Sequence, residues 1–326
     1  AKRGWVGLMA SRGCPFNCSY CFNHAMVKRY RADLDCGFRE LNYIRHFPVD
    51  RMIEEIRFLL ATYDNISMFI LDDDLFTYDR EYVQAFCRAY RELTDLPFVV
   101  NGHVGFFDQA RAEALAAANC RIVKFGVESG SPKIRKQVMN RSMTNDKIAE
   151  AIALVNRAGM HSSCFIMVGL PHETRADVMQ TIELMARAVP GRFRWTFFYP
   201  FPGTGSHRIA AEGGYIDDAR MQGLSNFTER SCLDFGEEQN LFLEKVGKAM
   251  PWFVNAASAL PCAEVYGEKV DWLLGLSRAE WEGVADDVRD LDATLSAEMT
   301  AAGLSHYAIK YNPFMGVISD YFLNDP

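Results

Sequence analysis

Apolar residues follow two alternating rhythms from Trp5 to about Pro200. Short strand-like runs occupy 5–11, 66–71, 98–104, 121–127, 162–168 and 194–199, as in "WVGLMAS" and "FIMVG". Between them lie amphipathic stretches over 49–63, 80–93, 108–118, 144–158 and 173–188. "VDRMIEEIRFLLATY" places Met52, Ile53, Ile56, Leu59, Leu60 and Tyr63 at three- and four-residue spacings, the stripe of a helix with one buried face. "MTNDKIAEAIALVNRAG" opens on Thr144 as an N-cap and stops at Gly159. Near-continuous apolar strands separated by helices imply right-handed crossovers and a parallel sheet covered by helices. The predicted class is therefore α/β, and six such units make either an open doubly wound sheet or an incomplete barrel.

After "FPGTGSHRIAAEGG" the rhythm changes. From about Tyr215 the chain reads as mainly helix, with "GEEQNLFLEKVGKAMPWFVNAASAL" and "SRAEWEGVADDVRDLDATLSAEMTAAG" as the long pieces. The aromatic tail "YAIKYNPFMGVISDYFL" reads as packed. We expect two domains, an α/β core over 1–205 and a mainly helical domain over 206–326 that covers the substrate side. The chain enters its first strand four residues after Ala1, as a piece of a longer polypeptide would.

Composition narrows the function classes. Of 326 residues, 49% are hydrophobic and 24% charged, an ordinary globular balance. A formal net charge of −7 lacks the basic footprint of a nucleic-acid binder. No apolar run reaches the ~18 residues of a membrane span, and no signal segment is visible. Nine cysteines, only three of them clustered, do not form a disulfide framework and suit a reducing cytoplasm.

The three clustered cysteines carry the chemistry. In "SRGCPFNCSYC", Cys14, Cys18 and Cys21 follow a strand directly, where α/β folds place their ligands. Gly13 and Pro15 supply the bends that let one loop wrap three thiolates around one face of a metal. A closed tetrahedral zinc site needs four ligands, and His24 or Cys36 would have to supply the fourth. The alternative is a [4Fe–4S] cluster with one iron left open to a small molecule. Cys87, beside Phe86 on a helical stretch, reads as a buried hydrophobe.

The spacing Cys14-x3-Cys18-x2-Cys21, with Tyr20 before the last cysteine and a strand before the first, resembles the radical S-adenosylmethionine superfamily. The resemblance spans about 5–205 and implies a partial (β/α)6 TIM-like barrel. It also implies a [4Fe–4S] cluster on Cys14, Cys18 and Cys21, and S-adenosylmethionine chelated to the open iron and cleaved to a 5′-deoxyadenosyl radical. In "FILDDDLFTYD", Asp72 and Asp73 stand where many members carry a run that contacts the methionyl amino group; carboxylates there could equally bind a divalent metal or cap the next helix. In "KFGVESGSPKIRKQVMNR", Glu128 and Ser129 match an element expected near the ribose or amino group. Arg141 matches an arginine expected on the methionine carboxylate, a contact that guanidinium makes well. In "CFIMVGLPHET", the backbone around Val168 and Gly169 is expected to flank the adenine, and Tyr20 to help position the cofactor. "FFYPFPGTG" resembles the ending of the sixth strand, with aromatics that pack or line a substrate cavity.

The Asp-Asp pair resembles the cobalamin-dependent branch, whose members include methyltransferases and cyclases. None of the seven histidines has the Asp-x-His-x-x-Gly context of cobalamin binding, so cobalamin would come through a domain outside this chain. Cys36, Cys120, Cys164, Cys232 and Cys262 are too scattered for a second cluster. Asn101 and His103, ending the third strand, could face a cavity or be satisfied core residues. The resemblance implies a small-molecule or peptide substrate and a reductant such as flavodoxin or ferredoxin. The rivals are a non-catalytic iron–sulfur or zinc module, and a tRNA-modifying enzyme, which the acidic balance disfavours.

Overall fold

The computed structural model describes residues 4–224, 228 and 230–320. Its strands are β1 (Trp5–Leu8), β2 (Ser11–Arg12), β3 (Arg45–His46), β4 (Met68–Leu71), β5 (Phe98–Gly102), β6 (Cys120–Glu128), β7 (His161–Val168), β8 (Arg192–Phe197), β9 (Tyr307–Ile309) and β10 (Met315–Ile318). Eight of them form one sheet in the order β1-β4-β5-β6-β7-β8-β10-β9, while β2 and β3 pair separately. Parallel pairing sets Trp5 against Met68, Phe69 against Phe98 and Val99 against Ile122. The first six strands of the sheet follow chain order without reversal. A doubly wound sheet reverses at a switch point, so this is the single winding of a TIM-like barrel. The α/β class and the helix-rich C-terminal region are as expected.

Helices form where the apolar stripes predict them. Val49–Thr62 buries Met52, Ile53 and Ile56, and Arg80–Leu93 buries Val83, Phe86, Cys87 and Tyr90 after Asp79 caps its N-terminus. Asn145–Arg157 and Arg175–Ala188 lie within a residue or two of their expected spans. The helix Phe22–Leu34 was not among the expected elements. It carries an apolar row at four-residue spacing, Phe22, Met26, Tyr30 and Leu34, but leaves that row exposed and buries only Val27.

The mainly helical C-terminal region also contains two short strands. Helices Glu237–Ala256, Ala263–Gly275 and Val288–Ala301 are present, but β10 extends the sheet antiparallel to β8 and β9 pairs antiparallel to β10 at its edge. The strands are too short to show a period, and Gly316 hides the pairing. A Cβ there would lie 2.5 Å from Cζ of Phe193, so only glycine lets β10 cross that ring. The tail is buried at Tyr307, Ala308, Met315 and Val317, whereas Tyr321–Leu323 lie outside the described residues.

The chain forms two compact units. The first comprises Ala1–Asn17, Cys21–Gly126 and Asp146–Ser163, the second Cys18–Tyr20, Val127–Asn145 and Cys164–Pro326. Within the first, Phe69, Phe76, Phe86, Tyr90 and Phe98 form a buried aromatic core with edge-to-face and stacked contacts. Within the second, buried polar tips are paired. Trp195 Nε1 donates to the Gly247 carbonyl and Trp252 Nε1 to Asp292, each at 2.8 Å. Asn255 exchanges two 2.8 Å hydrogen bonds with the Tyr307 backbone, tying the helix to β9. Among the described residues no helix is long and apolar enough to cross a membrane.

Candidate cofactor site

In the first unit, the carboxylates after β4 hold the approach to the cysteine loop. Asp73 is fully buried; one oxygen accepts from the Ala10 N–H at 3.2 Å and the other from the Ser11 hydroxyl at 2.5 Å. Burial raises its pKa against those bonds. Its own carbonyl accepts from the Asn101 side chain at 2.7 Å, which gives Asn101 a structural role. Asp74 accepts from the Gly13 N–H at 2.9 Å and from Asn23 at 3.0 Å, and Asn23 in turn accepts from the Tyr43 hydroxyl. Asp72 is different: its side chain is 58% exposed and lies 3.8 Å from Lys124. Of the expected aspartate pair, only Asp72 therefore presents its carboxylate to solvent, while Asp73 spends both oxygens on the chain.

Gly13 has φ +93, and a Cβ would lie 2.3 Å from the Tyr43 carbonyl oxygen, so glycine is required twice over. Phe16, between the first two cysteines, stacks on His103 at 4.0 Å between ring centroids and also meets Phe106. His103 Nδ1 accepts from the Gly105 N–H. Burial, then Asp74, Tyr30 and the thiols of Cys21 and Cys14, raises the Tyr43 hydroxyl pKa, so both half-buried thiols act on one phenol.

In the second unit, Cys18–Tyr20 is stitched down by its backbone. The Ser19 N–H donates to the Met139 carbonyl at 3.1 Å, its hydroxyl donates to the Val138 carbonyl, and its carbonyl accepts from the Ser206 N–H at 3.0 Å. Cys18 is buried, and its Sγ accepts from Arg141 at 3.6 Å. The same guanidinium nitrogen donates to the Tyr20 hydroxyl at 2.9 Å, and Tyr20 also hydrogen-bonds Glu128. Burial raises the Glu128 pKa, opposed by Arg141 and Tyr20. Burial alone would lower the Arg141 pKa, but Tyr20, Glu128 and Cys18 outweigh it.

Glu128 ends β6 at φ +68, in the left-handed region. The turn it starts is fixed by groups the sequence did not flag. Buried Arg135 donates to the Ser129 carbonyl at 2.6 Å, to Asn145 at 2.6 Å and to the Met143 carbonyl at 3.2 Å. Ser129 is fully buried, its hydroxyl accepting from the Ser131 N–H and lying 3.4 Å from that of Thr181. The Gly130 N–H donates to Thr181 at 2.8 Å.

Val168 is buried at the end of β7, and Gly169 follows at φ +74. Glu173 clamps this turn: one carboxyl oxygen accepts from the N–H groups of Gly169 at 2.6 Å and Leu170 at 3.2 Å. The other oxygen is buried without a partner, and burial raises the pKa to about 8. The sequence offered no sign of Glu173 beyond its place in the Gly-Leu-Pro-His-Glu loop. An acid whose folded pKa lies above its unfolded value contributes most below the unfolded value. Stability should therefore fall as pH rises from about 4.3 towards 8 and level off above it. Glu173→Gln keeps an oxygen for both N–H groups and removes the titration. Denaturation between pH 5 and 9 should show it gaining about 2–5 kcal/mol on the parent as pH rises. A pH-independent difference would mean that Glu173 ionises normally.

Among the described residues no set of three or more His, Cys, Asp or Glu side chains is gathered as a metal site. Cys14, Cys18, Cys21, His24 and Cys36 thus form no such group in this structure. The donor chemistry nevertheless fits an iron–sulfur cluster. Three thiols lie in one loop whose backbone is fixed on both sides of Cys18, and Cys18 already accepts an N–H from a buried cation.

The sequence profile described as the Radical SAM superfamily matches residues 8–185, more than half of the chain. A protein named as an uncharacterized methyltransferase of Pyrococcus horikoshii is 28% identical over 198 residues, covering 60% of this chain and 40% of that protein. The anaerobic magnesium-protoporphyrin IX monomethyl ester cyclase of Rubrivivax gelatinosus is 26% identical over 196 residues, covering 59% of this chain and 32% of the cyclase. The chain thus spans less than half the length of these two relatives. Among solved structures, the radical S-adenosylmethionine methyltransferase TsrM of Kitasatospora setae superposes with a TM-score of 0.53 at 18% identity, over 64% of this chain and 37% of that one, which shows a shared fold. With the superfamily profile covering the cysteine loop and strands β2 to β7, this chain belongs to the Radical SAM superfamily.

Proposed function

We propose that this chain reductively cleaves S-adenosylmethionine at a [4Fe–4S] cluster held by Cys14, Cys18 and Cys21, and delivers the resulting radical to a substrate hydrogen. The observation that carries the reading is the fixed three-thiol loop, pinned by Asp73 and Asp74 before Cys14 and by Ser19 after Cys18. When bound, such a cluster supplies one electron and an open iron, which together split the sulfonium into methionine and a 5′-deoxyadenosyl radical.

The protein's part is to bind and orient. Asp72, with its carboxylate in solvent, is the acid of the pair suited to an ammonium group. Glu128 and Arg141 offer a carboxylate and a guanidinium for the methionyl amino and carboxylate groups. Ser129 acts through the turn, since its hydroxyl already serves Ser131. Val168 and Gly169 present backbone for the adenine, and Glu173 fixes that backbone.

The methyltransferase and cyclase relatives support methyl transfer or cyclisation of a small-molecule or peptide substrate as the outcome, with cobalamin supplied through a domain outside this chain. The electron would come from a flavodoxin or ferredoxin. Anaerobic reconstitution with iron and sulfide, followed by reductant and S-adenosylmethionine, should give a brown protein that releases 5′-deoxyadenosine. A colourless protein holding one zinc per chain and releasing none would refute the proposal.

A further inference from the structure

We propose that Arg141 sets the electron affinity of the cluster through its hydrogen bond to Cys18 Sγ, with Tyr20 and Glu128 holding the guanidinium and moderating its charge. The inference rests on the cluster assignment above and assigns Arg141 a task besides cofactor recognition. One guanidinium nitrogen serves two acceptors, Cys18 Sγ at 3.6 Å and the Tyr20 hydroxyl at 2.9 Å, and Tyr20 continues the chain to Glu128.

Hydrogen bonds to ligating sulfur, net charge and burial are the levers that set iron–sulfur potentials. All three meet here. The N–H withdraws charge from the thiolate, and the cation favours the reduced centre, which carries one more negative charge. Both Cys18 and Arg141 are at least nine-tenths buried, so little water screens the interaction. Arginine stays charged under any condition in which the protein folds. Its position is over-determined: the Arg141 N–H donates to the Arg135 carbonyl at 2.7 Å, while the Arg135 guanidinium is spent on Ser129, Met143 and Asn145. Glu128 supplies an opposing carboxylate across Tyr20.

Opposite signs follow for the two charged residues. Arg141→Gln removes the cation and should lower the electron affinity at least tenfold, which for a one-electron couple is about 59 mV. Glu128→Gln removes the opposing charge and should raise it. Arg141→Lys keeps the charge but not the fixed fork and should fall between Arg141→Gln and the parent. The experiment is a redox titration of the reconstituted full chain without S-adenosylmethionine, followed by the electron paramagnetic resonance of the reduced cluster. Iron and sulfide are counted in each sample.

A parent protein with no [4Fe–4S] cluster would overturn the cluster assignment itself. A parent and an Arg141→Gln variant with equal cluster content and potentials matching within about threefold in electron affinity would overturn this inference alone. If Arg141→Gln fails to retain its cluster, Glu128→Gln decides, because a downward or absent shift there contradicts the charge network. A residue that merely supported the fold would not move the potential in opposite directions.

Discussion

Cys18→Ala should leave a folded chain that cannot retain a [4Fe–4S] cluster, and 5′-deoxyadenosine formation should fall at least a hundredfold. The reason is ligand count. With the fourth corner reserved for an exchangeable ligand, three thiolates are the minimum, and two cannot hold a cubane against loss of iron. The cost to folding is small, because the Cys18–Tyr20 segment is anchored by the Ser19 backbone and hydroxyl rather than by the sulfur. Truncating one small buried side chain costs about 1–2 kcal/mol. Circular dichroism should therefore match the parent while iron, sulfide and visible absorption are lost. A variant that keeps the parental rate would show that Cys18 is not a ligand.

Gly130→Ala should be strongly damaging although it adds a single methyl group. A Cβ there would lie 2.3 Å from the Gln180 carbonyl oxygen and 2.5 Å from Thr181 Cα, both backbone atoms of the helix Arg175–Ala188. No side chain can rotate away, so turn and helix must separate. That would break the Gly130 N–H bond to Thr181 and disturb the ion pair and hydroxyl contact that Asp177 makes with Lys133 and Ser131. Overpacking of this kind costs about 3 kcal/mol or more. The expected result is a drop of that size in chemical denaturation, with weaker S-adenosylmethionine binding because Glu128 starts the same turn. Stability within 0.5 kcal/mol of the parent, the usual range for a surface change, would contradict this packing.

Much of this molecule was legible in its sequence, for identifiable reasons. Strands β4 to β8 announced themselves through short apolar-rich runs, continuous in β4 and alternating in β8. Most barrel helices did so through their stripes. Patterning did not separate an open sheet from a barrel; strand order did. The cysteine loop was readable because three thiols among turn formers have few uses. What stayed hidden depends on long-range pairing. Asp73 and Asp74 look alike in a row of three aspartates, and only folding decides that one meets Ala10 and Ser11 and the other Gly13 and Asn23. Arg135 sits among lysine and glutamine on a short helix and reads as surface, yet it is buried with three acceptors. Glu173 is a loop acid whose partners are N–H groups of its own turn. Polar residues carry no burial signal in a hydrophobic pattern, so these anchors emerge only in three dimensions.

The central claim is that one corner of a thiolate-bound cluster is kept for S-adenosylmethionine. Its most direct test is the electron paramagnetic resonance spectrum of the reconstituted, reduced chain with and without S-adenosylmethionine. The account predicts a [4Fe–4S]⁺ signal whose g-values shift when the sulfonium compound is added, because it binds the unique iron. An identical spectrum in both samples, at concentrations where binding is shown independently, would contradict it.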